Sequence, residues 1–270
     1  MATDRDKAES GAVMRVVQIS DCHLGPTPDY RLAGIRTRHS FREVLARIAQ
    51  GPVPDLVVVS GDIAAHGYPE AYQYFVERMA ASGLPYRWLP GNHDDFSLMM
   101  GLDDMPAYEP ETVLAGWCVL SLNTAVANQV GGRLAERELR FLDDALRAAR
   151  ANHVAIFMHH PPLAVGCRWL DGQRVANAEA LAEVLRGHDN VRGLFSGHVH
   201  QAGAFEFAGI PLYTTPSTCF QFAANSDDFA LAALPPGLRR LELFSDGRIA
   251  TAVEFLAHSG EKVDTSVHGY

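Results

Sequence analysis

Five short groups of residues in this chain share one property: each offers oxygen or imidazole donors directly after an apolar run. They are Asp21-x-His23, Gly61-Asp62, Gly91-Asn92-His93-Asp94, His159-His160 and Gly197-His198-x-His200. Carboxylate, amide oxygen and imidazole, without thiolate, suit Mn, Fe, Zn or Co rather than a structural cysteine-type zinc site. Two such ions about 3.5–4 Å apart can clamp the attacking and leaving oxygens of an in-line displacement at phosphorus. Taken singly, each group has a plainer reading. D-x-H recurs by chance, Asn-His-Asp also reads as a turn with a helix cap, and H-x-H as two exposed strand residues. The weight comes from finding all five, in this order, each at the end of an expected strand.

Those strands are read from pattern. The β-branched run 13–20 precedes Asp21, the buried-looking run 55–60 precedes Gly61, and the short strand 86–89 precedes Gly91. Further strands are read at 116–122, 153–158 and 191–195, the last two feeding His159-His160 and Gly197-His198. Between them, helical periodicity covers 41–48, 69–80, 135–150 and 178–186; the second opens on Pro69-Glu70, a helix-start signal. After Gly203 the pattern becomes short strands, 204–207, 210–214, 239–244 and 249–255, with two of the turns reading as hairpins. Strand alternating with helix, then a β-rich end, predicts an α/β sandwich of mixed sheets flanked by helices. In such sheets ligands sit beyond the carboxyl ends of the strands, so the five groups fall on one rim. Polar groups gathered there are costly to bury unless paired or bound to metal. Glycine before Asp62, Asn92 and His198 lets the backbone turn sharply beside the ions.

Bulk properties narrow the partner. Lys and Arg number 23 against 32 Asp and Glu, a net charge of −9, and there is no Lys/Arg run. Long nucleic acid is therefore a poor expectation, whereas a small anion is not, because bound cations reverse the local field. No apolar run approaches membrane-spanning length, and the polar start MATDRDKAESGA lacks the features of a signal peptide, so a cytoplasmic location is expected. The four cysteines are scattered and form no C-x-x-C pair, so free buried thiols are expected.

The series D-C-H, G-D, G-N-H-D, H-H and G-H-V-H resembles the calcineurin-like metallophosphoesterase superfamily across residues 21–200. Within it, G-D-I-A-A-H-G, H-H-P-P, G-H-V-H and the later P-S-T-C-F-Q resemble the class III cyclic-nucleotide phosphodiesterase branch, which also includes glycerophosphodiesterases. The resemblance implies a four-layer α/β-β/α sandwich forming a single domain over 13–257, with 1–12 and 258–270 as flexible tails. It implies one divalent ion held by Asp21, His23, Asp62 and His200, and a second held by Asp62, Asn92, His159 and His198, with Asp62 bridging. Manganese or iron is favoured among Mn, Fe, Zn and Co. His93 resembles the family's catalytic histidine. Asp94 reads equally as the carboxylate that orients it or as the cap of a helix over 95–100. A homodimer or higher homo-oligomer is a further expectation by resemblance.

These readings lead to a two-metal phosphodiesterase that acts on a small phosphodiester, foremost a 3′,5′-cyclic nucleotide, through in-line attack by a metal-bridging hydroxide. The metals, with Asn92 and His93 nearby, are expected to stabilise the charge building on the non-bridging oxygens, and His93 serves the leaving oxygen. A phosphoprotein phosphatase is disfavoured, because the run after Asp62 is Ile63-Ala64-Ala65-His66-Gly67 and lacks the Asp-Arg pair of that branch. The alternatives are a glycerophosphodiesterase or a broad-specificity phosphodiesterase/phosphomonoesterase, and more remotely a non-catalytic metal-binding scaffold. Residues 108–132 and 163–177 are expected to overhang the site. Arg168, Trp169 and Arg174 are candidates there to meet an anion or base, or plain surface residues. His160 is read as a packed residue behind the ligands, and His39, His66 and His188 as exposed or structural.

Overall fold

The parallel strands β1 (Ala12–Ile19), β4 (Leu56–Ser60) and β5 (Tyr86–Leu89) form the centre and one edge of the first sheet. They are connected through α1 (Thr37–Gln50) and α2 (Pro69–Ser82). The small antiparallel pair β2 (Arg31–Leu32) and β3 (Ile35–Arg36) precedes α1. On the other side of β1, β14 (Gly237–Phe244) and β15 (Ile249–Phe255) complete the order β15-β14-β1-β4-β5. The computed structural model describes residues 11–102, 105–106, 108–150, 152–257 and 261–269.

The second sheet runs in the order β10-β11-β9-β8-β7-β6. Its members are β6 (Glu111–Leu114), β7 (Trp117–Leu122), β8 (His153–Met158), β9 (Val191–Ser196), β10 (Gly203–Phe207) and β11 (Ile210–Thr214). Strands β7, β8, β9 and β11 are parallel, and the edges β6 and β10 are antiparallel. Helices α4 (Glu136–Ala148) and α6 (Ala178–Arg186) cross between its parallel strands. Short α3 (Phe96–Gly101) and α5 (Arg168–Asp171) lie in loops, as does the hairpin of β12 (Gln221–Phe222) and β13 (Leu231–Ala232).

Three apolar layers account for the sandwich. Phe41, Val44, Ile48, Phe75 and Met79 of α1 and α2 pack on Val17, Ile19, Val57 and Val59. Met14, Val16, Leu56 and Val58 meet Val119, Ala155, Phe157 and Phe195 between the two sheets. Leu142, Leu146, Leu181 and Leu185 of α4 and α6 cover Val154, Ile156 and Leu194. Both faces of β4 and β7 are therefore buried, which explains why they read as continuous apolar runs without alternation. Trp117 is buried between the sheets because its indole N–H donates to the Phe244 carbonyl at 3.0 Å. The expected α/β sandwich of two mixed sheets flanked by helices is the observed fold.

Some elements were not read from the sequence. Strand β6 is an exposed edge, β12 and β13 have two residues each, and α5 has four, all too short to carry a period. Of residues 261–269, read as part of a tail, 261–264 lie along the β2–β3 turn, and Gly269 reaches a cavity lined by Asp62 and His93. Glu261 pairs with Arg31 and Arg36, and the Asp264 amide donates to the Ala33 carbonyl. Arg31 and Arg36, paired across β2 and β3, both reach Glu261 and give the segment its anchor. All four cysteines are free and buried. No helix among the described residues is long and apolar enough to cross a membrane.

Candidate metal centre

All five groups stand at strand ends on one rim: Asp21 and His23 after β1, Asp62 after β4, Asn92–Asp94 after β5, His159 and His160 after β8, and His198 and His200 after β9. The backbone there is held in an uncommon conformation. Asp21, His23, Asp62, His198 and His200 have φ of 55°, 44°, 51°, 66° and 47°. Side-chain-bearing residues adopt this left-handed region only when the surroundings enforce it, at a cost of order 1–3 kcal/mol each. Five of the ten such residues among those described sit in this one cluster. The strain turns each side chain inward from the end of its strand.

The close approach also demands glycine. A Cβ on Gly91 would lie 2.1 Å from Asp62 Oδ1 and 2.5 Å from the Asp62 backbone nitrogen, and one on Gly61 would lie 2.4 Å from His159 Nδ1. Neither neighbour can move without dismantling the rim.

Hydrogen bonds set which nitrogen of each ring faces inward. His159 Nδ1 donates to the Ser60 carbonyl at 2.8 Å, and His200 Nδ1 to the Phe220 carbonyl at 2.8 Å. Their Nε2 lone pairs then face the cluster, the usual way a protein orients metal-binding imidazoles. His159 Nε2 lies 3.3 Å from Asp62 Oδ2 and 3.2 Å from Asn92 Oδ1. His200 Nε2 lies 3.3 Å from Asp21 Oδ1 and 3.1 Å from His23 Nε2. Asp62 Oδ2 also stands 3.8 Å from His23 Nε2, so this one oxygen borders both groups, while Oδ1 accepts the His93 amide at 2.8 Å. His198 Nε2 is buried with no hydrogen-bond partner among the described residues.

Lone pairs facing lone pairs at these distances repel unless a cation or proton lies between them, and buried carboxylates need the same compensation. The donor set thus fits metal. His, Cys, Asp and Glu side chains with metal-binding reach form the groups Asp21–His23–His200, Asp21–Asp62–His159, His23–Asp62–His93 and His159–His160–His198. The ligand-type residues read from the sequence are therefore brought together. His160 joins them spatially, its ring 4.5 Å from that of His198, but both its nitrogens are engaged. Nε2 donates to the Val130 carbonyl and Nδ1 accepts from the Thr124 hydroxyl.

Titration follows from the same geometry. Burial holds His23 and His198 well below the usual value and His160 down to about 3. Burial also pulls on His159, yet the Asp62 carboxylate outweighs it and holds His159 up at about 9. Asp62, despite burial, sits well below its ordinary value because His159 and His93 stand beside it. In metal-free protein the lowered histidines contribute stability above about pH 6.5 that is lost as the pH falls, since the unfolded chain takes up protons first. His159 works in the opposite window: its contribution is complete below about 6.5 and is lost as pH rises through about 9. Melts of chelated protein should therefore move down between about pH 6.5 and 5.5, and His160→Gln should reduce that slope by up to about 1.4 kcal/mol per pH unit. An unchanged slope in the variant contradicts the assignment.

Asp94 neither caps a helix nor orients His93. The cap of α3 is Asp95, whose side chain accepts from the Leu98 amide at 2.9 Å. His93 Nδ1 donates instead to the Ala65 carbonyl at 2.8 Å. The Asp94 carboxylate accepts from the amides of Ile63, Ala64 and Gly91 and from the Tyr72 hydroxyl. It binds the loop after β4 to the loop after β5, and burial followed by the Asp62 charge raises it to about 6. Asp94→Asn places an N–H against these donors. It should lower the melting temperature and weaken metal affinity about 10- to 100-fold, as loss of groups that hold ligands does; unchanged affinity in a metal titration contradicts the role.

The sequence reading also missed what P-S-T-C-F-Q does. Thr218 N–H donates to the Ser20 carbonyl, Ser217 Oγ to the Asp21 carbonyl, and Phe220 supplies the acceptor for His200. The segment braces both ends of one ligand group. His66, read as exposed or structural, is exposed and stands at the rim with its ring 5.7 Å from that of His93. Arg168 pairs with exposed Asp227 and Arg174 bonds back to the Asp171 carbonyl, whereas Trp169 lines a cavity with Asn92, His93 and His198.

The chain is 37% identical over 263 residues to the 3′,5′-cyclic adenosine monophosphate phosphodiesterase CpdA of Escherichia coli K12, covering 96% of each chain. It is 33% identical over 250 residues to a 3′,5′-cyclic-nucleotide phosphodiesterase of Nostoc, covering 90% of this chain and 93% of that one. A dimetal phosphatase from Danio rerio shares the fold with a TM-score of 0.65 at 17% identity, over 90% of this chain and 96% of the other. The pattern of the calcineurin-like phosphoesterase family matches residues 14–202, and the chain belongs to that family.

Proposed function

We propose that this chain is a metal-dependent phosphodiesterase whose substrate is a 3′,5′-cyclic nucleotide. The observation that carries the reading is the position of Asp62. One of its oxygens borders both imidazole groups, in a chain related over nearly its full length to proteins named as cyclic adenosine monophosphate phosphodiesterases. In this reading Asp21, His23, Asp62 and His200 hold one divalent cation, and Asp62, Asn92, His159 and His198 hold a second, with manganese or iron favoured. When bound, such cations lower the pKa of coordinated water and offset charge building on phosphoryl oxygens.

The chain's own residues supply the remainder. Asn92 turns its side-chain oxygen toward His159, leaving its amide N–H as a donor for a phosphoryl oxygen. His93, fixed through Nδ1 by the Ala65 carbonyl, directs Nε2 as the atom that exchanges a proton with the leaving oxygen. Water adds, one ester P–O bond of the ring breaks, the sugar oxygen takes a proton, and a nucleoside monophosphate results.

A second reading, broader specificity, has one observation in its favour. Asn92, His93 and Val130 also border a wider groove of about 680 Å³, lined further by His66, Phe96, Asn123 and Arg137, with room for a second ester arm. Kinetics on 3′,5′-cyclic AMP, 3′,5′-cyclic GMP, 2′,3′-cyclic nucleotides and glycerophosphodiesters with Mn²⁺ decide between them. The proposal expects the highest kcat/KM for a 3′,5′-cyclic nucleotide; a glycerophosphodiester in that place overturns it.

A further inference from the structure

A smaller cavity of about 160 Å³ shares Asn92, His93 and Val130 with the wider groove but has a different remaining lining. Asp62, Asn92, His93 and His198 form its floor, and Trp169, Phe222 and Phe229 form its wall. The three rings make one unit: the Trp169 centroid is 4.9 Å from Phe222 at 85° and 5.3 Å from Phe229 at 59°. Phe222 in turn stacks on the His200 ring at 4.2 Å and 22°, so the wall is continuous with the ligand cluster.

The wall is held in place before any substrate arrives. Cys167, buried, donates through Sγ to the Ser226 carbonyl at 3.2 Å, tying the loop that carries Trp169 to the loop that carries Phe222 and Phe229. The Asp171 carboxylate accepts the Val165 amide at 2.7 Å and closes the Trp169 loop on itself. Aromatic faces that open onto a phosphate site suit a flat, weakly polar group joined to that phosphate by a short linker. A nucleobase on its ribose is such a group, and base–aromatic stacking tolerates any base. The wider groove carries one phenyl ring, Phe96, beside Asp94, Asp95 and Arg137, against three rings in the smaller cavity.

We propose that the Trp169–Phe222–Phe229 box is the seat of the substrate's nucleobase. This rests on the cyclic-nucleotide reading and extends it to the part of the substrate that does not react. Phe222 touches His200, so the test uses Trp169 and Phe229, which lie outside the proposed ligand set.

The first arm compares 3′,5′-cyclic AMP with methyl riboside 3′,5′-cyclic phosphate, the same ring without a base, on Mn²⁺-loaded enzyme. Trp169→Ala and Phe229→Ala should each lower kcat/KM for cyclic AMP about 5- to 150-fold, mainly through KM, and leave the base-free ester unchanged. Trp169→Phe should restore most of the loss. Equal losses on both esters, or no loss on cyclic AMP, overturn the proposal while leaving cyclic-nucleotide hydrolysis intact. The second arm is fluorescence. Of the three tryptophans, Trp88 and Trp117 are buried, at 2% and 0% exposure, so quenching by stacked adenine reports on Trp169. Saturable quenching by AMP, absent in Trp169→Phe, is expected. Should the enzyme cleave an aryl phosphodiester yet neither cyclic ester, the cyclic-nucleotide reading fails. Quenching by AMP then still supports the base seat, and its absence overturns it.

Discussion

Asp62→Ala should abolish phosphodiester hydrolysis and metal loading in the same step. Asp62 Oδ2 is 3.3 Å from His159 Nε2 and 3.8 Å from His23 Nε2, so removing the carboxylate strips a donor from both groups at once. It also leaves buried imidazoles facing one another without the anion that favours a cation among them. Each lost Lewis acid is worth several kcal/mol, and each 1.4 kcal/mol is a factor of ten, so the fall in kcat/KM should exceed about 10³-fold. Metal content by plasma emission should fall together with turnover. Full metal content with no activity would contradict the bridging assignment and shift the role of Asp62 to the substrate.

His93→Ala should separate the two quantities that Asp62→Ala loses together. The ring is only half-buried and is held by the Ala65 carbonyl through Nδ1. It stands edge-on to His23 at 4.9 Å, near the metal ligands but outside the proposed set. General acid–base assistance contributes typically about 10²–10⁴-fold, and kcat should fall by that amount with metal content near that of the parent. The loss should shrink for esters with a good leaving group, such as an aryl phosphodiester, because a departing phenolate needs less help from a proton. Equal losses for alkyl and aryl esters would contradict a role at the leaving oxygen, and loss of metal would make His93 a ligand.

The positions of the metal-type residues were legible because chemistry and pattern coincided: each donor follows an apolar run, and apolar runs of four to eight residues bounded by glycine read as buried strands. What could not be read is how the donors point. The left-handed φ of Asp21, His23 and Asp62 is unusual for residues with a Cβ, and sequence pattern places glycine there by default. Asp94 was misread for a related reason. Three of its four partners, Ile63, Ala64 and Tyr72, lie 22 to 31 residues away, whereas helix capping is a local signal and belonged to the next residue, Asp95. Trp169 was legible as a candidate to meet a base, but its partners Phe222 and Phe229 were not, because they sit in a separate loop without period, brought to it by long-range packing and the thiol of Cys167.

Anomalous diffraction from Mn²⁺-loaded crystals tests the central claim most directly. Two peaks should appear about 3.5–4 Å apart, both within bonding distance of Asp62, one flanked by His23 and His200 and the other by Asn92, His159 and His198. A single peak, or two that do not share Asp62, would contradict the account.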